Sequence, residues 1–405
     1  MYRRPVRDYR IIALIGAGHL LSHFFQLVLP PLFPTLRAEF GVGYAALGFL
    51  LTLFYAASGL GQTVAGILVD RCGARRILAG GLALLAGSVG LAGLAPSHVA
   101  LLPVALAAGL GNSVFHPADY SVFNSRVDPR RLGRAYSVHS VCGNLGWVLA
   151  PPAAVGLAGL VGWRAAVVTL GLLGVAAAAC LWSRRDVLDP ADEVARGPAR
   201  PALAADLRLL LAAPVLMAFA YFALLSASMS GMQTFSVTAL TAIHETPLAV
   251  AAGALTAYLL GSAGGILVGG VLADRTSRHD VVATVGMLVA AGVALVIATG
   301  ATPQALLAAA MATVGFCKGV TSPSRDLLVR AATPARASGK VFGFVYSGLD
   351  LGSLAMPPVY GWLVDRGEPR AVFVVAAALM VLTIVTVLQV RRRAAPAAAG
   401  AGLHG

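Results

Sequence analysis

Apolar stretches of roughly twenty residues recur along this chain from Ile11 to Val390, each long enough to cross a bilayer as a helix. Runs of that length are not strands of an outer-membrane barrel, whose segments are about ten residues of alternating polarity. Cutting at the polar or Pro/Gly-rich connections gives twelve spans: 11–33, 44–69, 77–95, 99–123, 135–158, 165–182, 211–239, 248–273, 281–300, 304–326, 340–363 and 371–390. The expected fold is therefore an all-α polytopic membrane protein. The first run continues to about Phe33 without a small-residue cleavage site, so it reads as a retained helix rather than a signal peptide.

Composition agrees with a bilayer as the main partner. Only 12% of the 405 residues are charged and mean hydropathy is +0.81, whereas soluble domains carry about 25% charged residues. A net charge of +13 would suit a nucleic-acid binder. The basic residues, however, scatter in short clusters between spans and no basic patch alternates with aromatics, so nucleic acid is not an expected partner. Cys72, Cys142, Cys180 and Cys317 have neither disulfide-framework nor zinc spacing. No Walker-type phosphate loop is present, so ATP is not expected to drive the protein directly. No nucleophile–base pair shares a face, so neither an enzyme nor a cofactor is expected.

Orientation follows from the cations. Of the 30 Lys and Arg residues, 25 fall in segments that are cytoplasmic if the N-terminus is inside; Arg37, Arg164, Arg366 and Arg370 fall outside, and Lys318 sits within a span. The positive-inside rule then places both termini and the middle segment in the cytoplasm. The strong preference for Arg over Lys and the Ala/Gly richness fit a GC-rich bacterial genome, hence a bacterial inner membrane.

The chain also matches itself at half its length. Gly66-x-x-x-Asp70-Arg71 recurs as Gly270-x-x-x-Asp274-Arg275, a shift of 204, while Pro117, Gly133-Arg134, Gly146 and Pro151-Pro152 recur at Pro323, Gly339-Lys340, Gly352 and Pro357-Pro358, a shift of 206. Five landmarks at nearly one offset indicate duplication. The expected organisation is a six-helix half at 1–182, a cytoplasmic linker at 183–208, a second half at 209–393 and a flexible tail at 394–405, the halves being parallel repeats.

These residues resemble the major facilitator superfamily. The segment Gly66-Ile-Leu-Val-Asp70-Arg71-Cys-Gly73-Ala-Arg75-Arg76 is similar to its signature between spans 2 and 3. The resemblance implies a gating latch built from Gly66, Asp70, Arg71, Gly73, Arg75 and Arg76, with Asp274 and Arg275 as the repeat copy and Asp119 at the cytoplasmic mouth. Asp70 is expected where span 3 begins, its carboxylate facing free amides and the positive helix end. Gly143-Asn144-Leu-Gly146 with Ala150-Pro151-Pro152 looks like a degraded antiporter motif. A narrower resemblance, to the fosmidomycin-resistance-like drug-efflux branch, rests on Gly18-His19 and Gln26, on Ser113-Val-Phe-His116-Pro117, and on Gly143-Asn144-x-Gly146. It implies proton-exchanging export. Two departures stand out: His23 replaces a frequent Asp, and Ala105 falls where many proton-coupled exporters carry an arginine.

Polar groups inside spans are costly and usually face a cavity or a partner. His19, His23 and Gln26 share one face of span 1, and Asn112, His116 and Asp119 share one face of span 4. Measured from the outer end of span 4, His116 and Asp119 are expected near the cytoplasmic mouth, with His19 and His23 nearer mid-membrane. A metal site is not expected, because of that depth difference and because no paired His or Cys stands on another span. His139 reads as satisfying the start of span 5, and Arg325 with Asp326 as a solvated cluster. The repeat sets Lys318 opposite Asn112 and Asp350 opposite Asn144, suggesting a Lys318–Asp350 ion pair.

The expected proton-coupling groups are thus Asp350, Lys318, His19 and His23. Expected substrate contacts are His19, His23, Gln26, Asn112, His116, Asn144 and Gln233. The function expected is a monomeric secondary active transporter that exports a small organic solute against protons by alternating access. An uptake carrier and a non-transporting sensor are the alternatives.

Overall fold

The computed structural model describes residues 5–184, 188, 211–276, 278–331 and 338–401. Fifteen α-helices are assigned there: α1 (Pro5–Gln26), α2 (Phe33–Phe40), α3 (Tyr44–Cys72), α4 (Ala74–Ala92), α5 (His98–Asn112), α6 (Phe115–Arg126), α7 (Leu132–Val161), α8 (Trp163–Ser183), α9 (Ala213–Ser230), α10 (Ser236–His244), α11 (Leu248–Arg275), α12 (His279–Ala298), α13 (Gln304–Ala331), α14 (Ser338–Asp365) and α15 (Arg370–Ala401). Among the described residues ten helices are long and apolar enough to cross a membrane, and the last two expected spans fall on α14 and α15. No strand occurs among these residues, as hydrocarbon demands: a helix satisfies its own backbone polar groups.

Two compact units form, Met1–Ala195 and Arg196–Gly405. The connection read at 183–208 lies, apart from Ser183, Arg184 and Leu188, outside the described residues. The repeat reappears as packing. In the first unit α1 packs on α7, α3 on α5, and α4 on α5 and α8. In the second, α9 packs on α14, α11 on α13, and α12 on α13 and α15. Each of these pairs is the other's counterpart under the half-chain shift.

Small residues make these contacts, since helices in lipid associate through close van der Waals packing rather than hydrophobic drive. Gly146 of α7 lies against the Leu20 carbonyl of α1, and its repeat copy Gly352 of α14 lies against the Ala223 carbonyl of α9. Gly109 and Gly315 likewise meet the backbones of α3 at Phe54 and of α11 at Tyr258.

Several elements depart from the sequence-drawn limits. Span 4 is broken into α5 and α6 at Ser113–Val114. Pro117 lacks the N–H that would bond the Ser113 carbonyl, and its ring clashes with that carbonyl. The repeat copy, Pro323, stays inside continuous α13. Span 7 carries a five-residue π-helical turn, Gly231–Phe235, between α9 and α10. The last helix continues to Ala401, through the segment read as a tail, in keeping with alanine's helix propensity.

At one end of the first unit Asp8 is fully buried and ties α1 to the turn after α6. Its Oδ2 lies 2.6 Å from Arg131 Nη1 and 3.4 Å from the Asp128 amide. At the other end, Arg164 donates to the carbonyls of Gly93 and Ala95 at 3.1 and 2.8 Å and pairs with Glu39 at 3.0 Å.

Candidate functional site

The Asp8 clamp sets the register of everything above it. Measured from that level, His19 rises roughly 17 Å along α1 and His116 roughly 18 Å along α6, at 1.5 Å per residue. The two histidines therefore share a depth, which corrects the expectation that they are separated. The apolar run of span 1 begins at Ile11 but α1 begins at Pro5, so a depth counted from the run sets His19 apart from His116.

Four imidazoles and one carboxylate consequently meet in the first unit. Asp119 Oδ2 accepts a hydrogen bond from His139 Nε2 at 2.9 Å and lies 3.4 Å from His19 Nδ1. The His19 ring stacks on His139 at 3.5 Å between centroids, with His23 at 4.3 Å and His116 at 5.2 Å. His23 in turn stacks on Trp147 at 4.3 Å. Asp119, His19 and His139 are buried and His116 is exposed. Asp119 is thus buried within the unit and bonded to His139 of α7.

Gly143 explains why the glycine of its motif stands there. A Cβ at that position would sit 2.8 Å from His23 Nδ1 and 2.9 Å from His19 Nε2, so only a bare backbone leaves room for both rings. His139, one turn before Gly143 on the same face of α7, is the member that sequence reasoning assigned elsewhere. Its i, i+4 spacing to Gly143 was the available signal.

Above the histidines an amide network crosses four helices. Gln26 Nε2 donates to Asn112 Oδ1 at 3.0 Å, Asn112 Nδ2 donates to Ser58 Oγ at 2.9 Å, and Trp147 Nε1 donates to Gln26 Oε1 at 3.2 Å. Gln26 and Asn112 therefore brace α1, α3, α5 and α7 against one another. Asn144 donates to the Ser140 carbonyl of its own helix at 2.9 Å. Gln233 is half-buried inside the π-helical turn, an element often found at functional sites. Gly231 of the same turn packs on the Tyr360 ring, whose hydroxyl donates to the Ala227 carbonyl at 3.1 Å.

In the second unit the expected Lys318–Asp350 ion pair is not formed. Lys318 Nζ is buried and lies 3.4 Å from Ser262 Oγ, and among the described residues no carboxylate comes within ion-pair distance of it. Gly315, Lys318 and Gly319 occupy one face of α13, the face pressed on α11, whereas α14, carrying Asp350, packs on α9. The two charges belong to different helix pairs. Lys318→Met is accordingly expected to leave the melting temperature of the detergent-purified protein unchanged or to raise it, since deleting an unpaired buried charge costs little. A loss of about 3 kcal/mol, the size of a broken buried pair, would contradict this arrangement.

The signature loop divides in its behaviour. Asp70 belongs to the last turn of α3, not to the start of α4, because α3 runs on to Cys72. The side chains of Asp70 and Asp274 lie outside the described residues. Gly73, at φ +84°, makes the turn between the two helices in a conformation that favours glycine. Arg71, Arg76 and Arg275 are exposed, and Gly66 faces open space. Arg75 is buried: its Nη1 donates to the Trp182 carbonyl at 2.7 Å and its guanidinium covers the Trp182 ring at 4.9 Å. It therefore closes the C-terminal end of α8 within its own unit. Of the expected solvated cluster, Arg325 covers the Phe222 ring at 4.6 Å, and the Asp326 side chain lies outside the described residues.

Duplicated bundles of membrane-length helices, with ionisable and amide side chains gathered inside them, define a multi-pass membrane protein. The description Major Facilitator Superfamily matches residues 15–254 and 232–403, and the chain belongs to that family. It is 26% identical over 396 residues to the fosmidomycin resistance protein of Escherichia coli (strain K12), covering 94% of this chain and 92% of that one. It is 33% identical over 144 residues to the uncharacterized MFS-type transporter YfnC of Bacillus subtilis (strain 168), which spans only 35% of either chain. Its fold is similar to the crystal structure of a bacterial homologue of the human lysosomal transporter Spinster, with a TM-score of 0.76 at 16% identity, covering 98% of both chains.

Proposed function

We propose that this transporter exports a small organic solute across a bacterial inner membrane in exchange for protons, by alternating access. The observation that carries the coupling is Asp350. It is a half-buried carboxylate inside membrane-length α14 with no cation at ion-pair distance among the described residues. A lone carboxylate in hydrocarbon is costly while charged and tolerable when protonated, so taking up and releasing a proton is the economical way to keep it there. Lys318, held on α11 by Ser262, then serves packing rather than coupling. Export is supported by similarity over nearly the whole length to a drug-resistance protein. The solute contact proposed is Gln233, half-buried in the π-helical turn of the second unit. Proton flux evoked by an organic solute in proteoliposomes tests the reading. Solute exchange with no proton movement would overturn the coupling.

A further inference from the structure

We infer that His19, His116 and His139, with Asp119 beside them, form a binding site for one divalent transition-metal ion of the zinc, cobalt or nickel type. One ring nitrogen from each histidine lies within 4.8 Å of the others. A four-coordinate ion with metal–nitrogen bonds of about 2.0–2.1 Å holds its nitrogens roughly 3.4 Å apart. The rings need to draw in only modestly, and each hangs from a different helix. Imidazole nitrogen selects borderline transition metals over magnesium and calcium, which take oxygen.

Further observations point to a ligand at this place. Asp119 Oδ1 is buried and lacks a hydrogen-bond partner, and buried His19 Nδ1 makes no hydrogen bond beyond its 3.4 Å approach to Asp119 Oδ2, although an unmade bond in a low-dielectric interior is expensive. The hydrogen bond from His139 Nε2 to Asp119 is the carboxylate–histidine arrangement that orients a metal-ligating ring. The Asp119 carboxylate also offsets part of a dication's charge. His116 is the exposed member, so the cluster has an approach for an ion, while His23, stacked on Trp147, flanks it. His139 on α7 and the shared depth of His19 and His116 remove both grounds on which the sequence speaks against a metal. His19 is expected from the sequence to carry protons; its surroundings suit an ion bridging α1, α6 and α7. The site draws all its residues from the first unit and its test does not involve Asp350, so neither proposal depends on the other.

The test uses the full chain, purified in detergent without a polyhistidine tag, stripped with a chelator, and titrated with Co²⁺ or Zn²⁺ alone. One saturable ion per chain is expected, with a visible Co²⁺ absorption that Zn²⁺ abolishes. His116→Ala, at an exposed ring, is expected to weaken binding at least tenfold, while His98→Ala, outside the cluster, leaves it unchanged. Absence of saturable binding to the wild type overturns the site, as does equal affinity in His116→Ala or an equal loss in His98→Ala. The wild-type Co²⁺ spectrum decides the matter even where a variant fails to fold: octahedral, weakly absorbing Co²⁺ would also reject it.

Discussion

Gly146→Val is expected to remove most folded protein from the membrane fraction, whereas Gly156→Val, on the same helix, leaves accumulation near the wild-type level. A side chain at Gly146 would run into the Leu20 carbonyl oxygen and lie 2.9 Å from the Phe24 amide nitrogen. Both obstacles are backbone, so no rotamer relieves them and α1 has to move away from α7. That movement also pulls His19 and His23 from their places against Gly143. Overpacking a core costs typically 1–3 kcal/mol where side chains can yield, and here the cost lies at or above the top of that range. Gly156 has no neighbouring atom within 4 Å of a Cβ. Immunoblotting of membranes with size-exclusion profiles of both variants checks the pair, and equal accumulation would contradict the α1–α7 contact.

The second large effect is expected at Asp119. Asp119→Ala strips the buried acceptor from His139 and the nearest carboxylate from His19, and a buried donor left unsatisfied costs about 1–3 kcal/mol, more where the missing partner was charged. Asp119→Asn keeps a carbonyl oxygen that accepts from His139, so its cost is that of one weakened hydrogen bond, about 1–2 kcal/mol. Thermal melts of the detergent-purified proteins should therefore rank wild type first, Asp119→Asn close behind and Asp119→Ala last. An Asp119→Ala melt equal to wild type would mean that the cluster contributes nothing to the fold of its unit.

Much of this architecture was legible because length and hydrophobicity fix a membrane helix almost alone. The duplication was legible for a related reason: Gly146 and Gly352, or Gly109 and Gly315, do the same packing job in each unit, so the same small residue survives at both. What stayed hidden depends on direction in three dimensions. His19 and His116 were assigned to the right faces but to different depths, since the Asp8–Arg131 contact that registers α1 against α6 is non-local. The π-helical turn around Gln233 leaves no mark on periodicity over so few residues. Lys318 and Asp350 were paired from their repeat positions, yet Gly315 and Gly319 turn the lysine's face of α13 onto α11. Arg75, grouped with its loop neighbours by motif, is separated from them by the carbonyl it caps on α8.

The most direct test of the central claim is proton flux in proteoliposomes, with a pH-sensitive dye inside and solutes added from a panel of phosphonates, aromatic drugs and organic acids. The wild type should acidify or alkalinise the lumen only when a transported solute is present. Asp350→Asn should abolish gradient-driven transport while leaving solute counterflow intact. Counterflow lost together with gradient-driven transport in well-folded Asp350→Asn, or solute-evoked proton movement that survives it, would contradict the account.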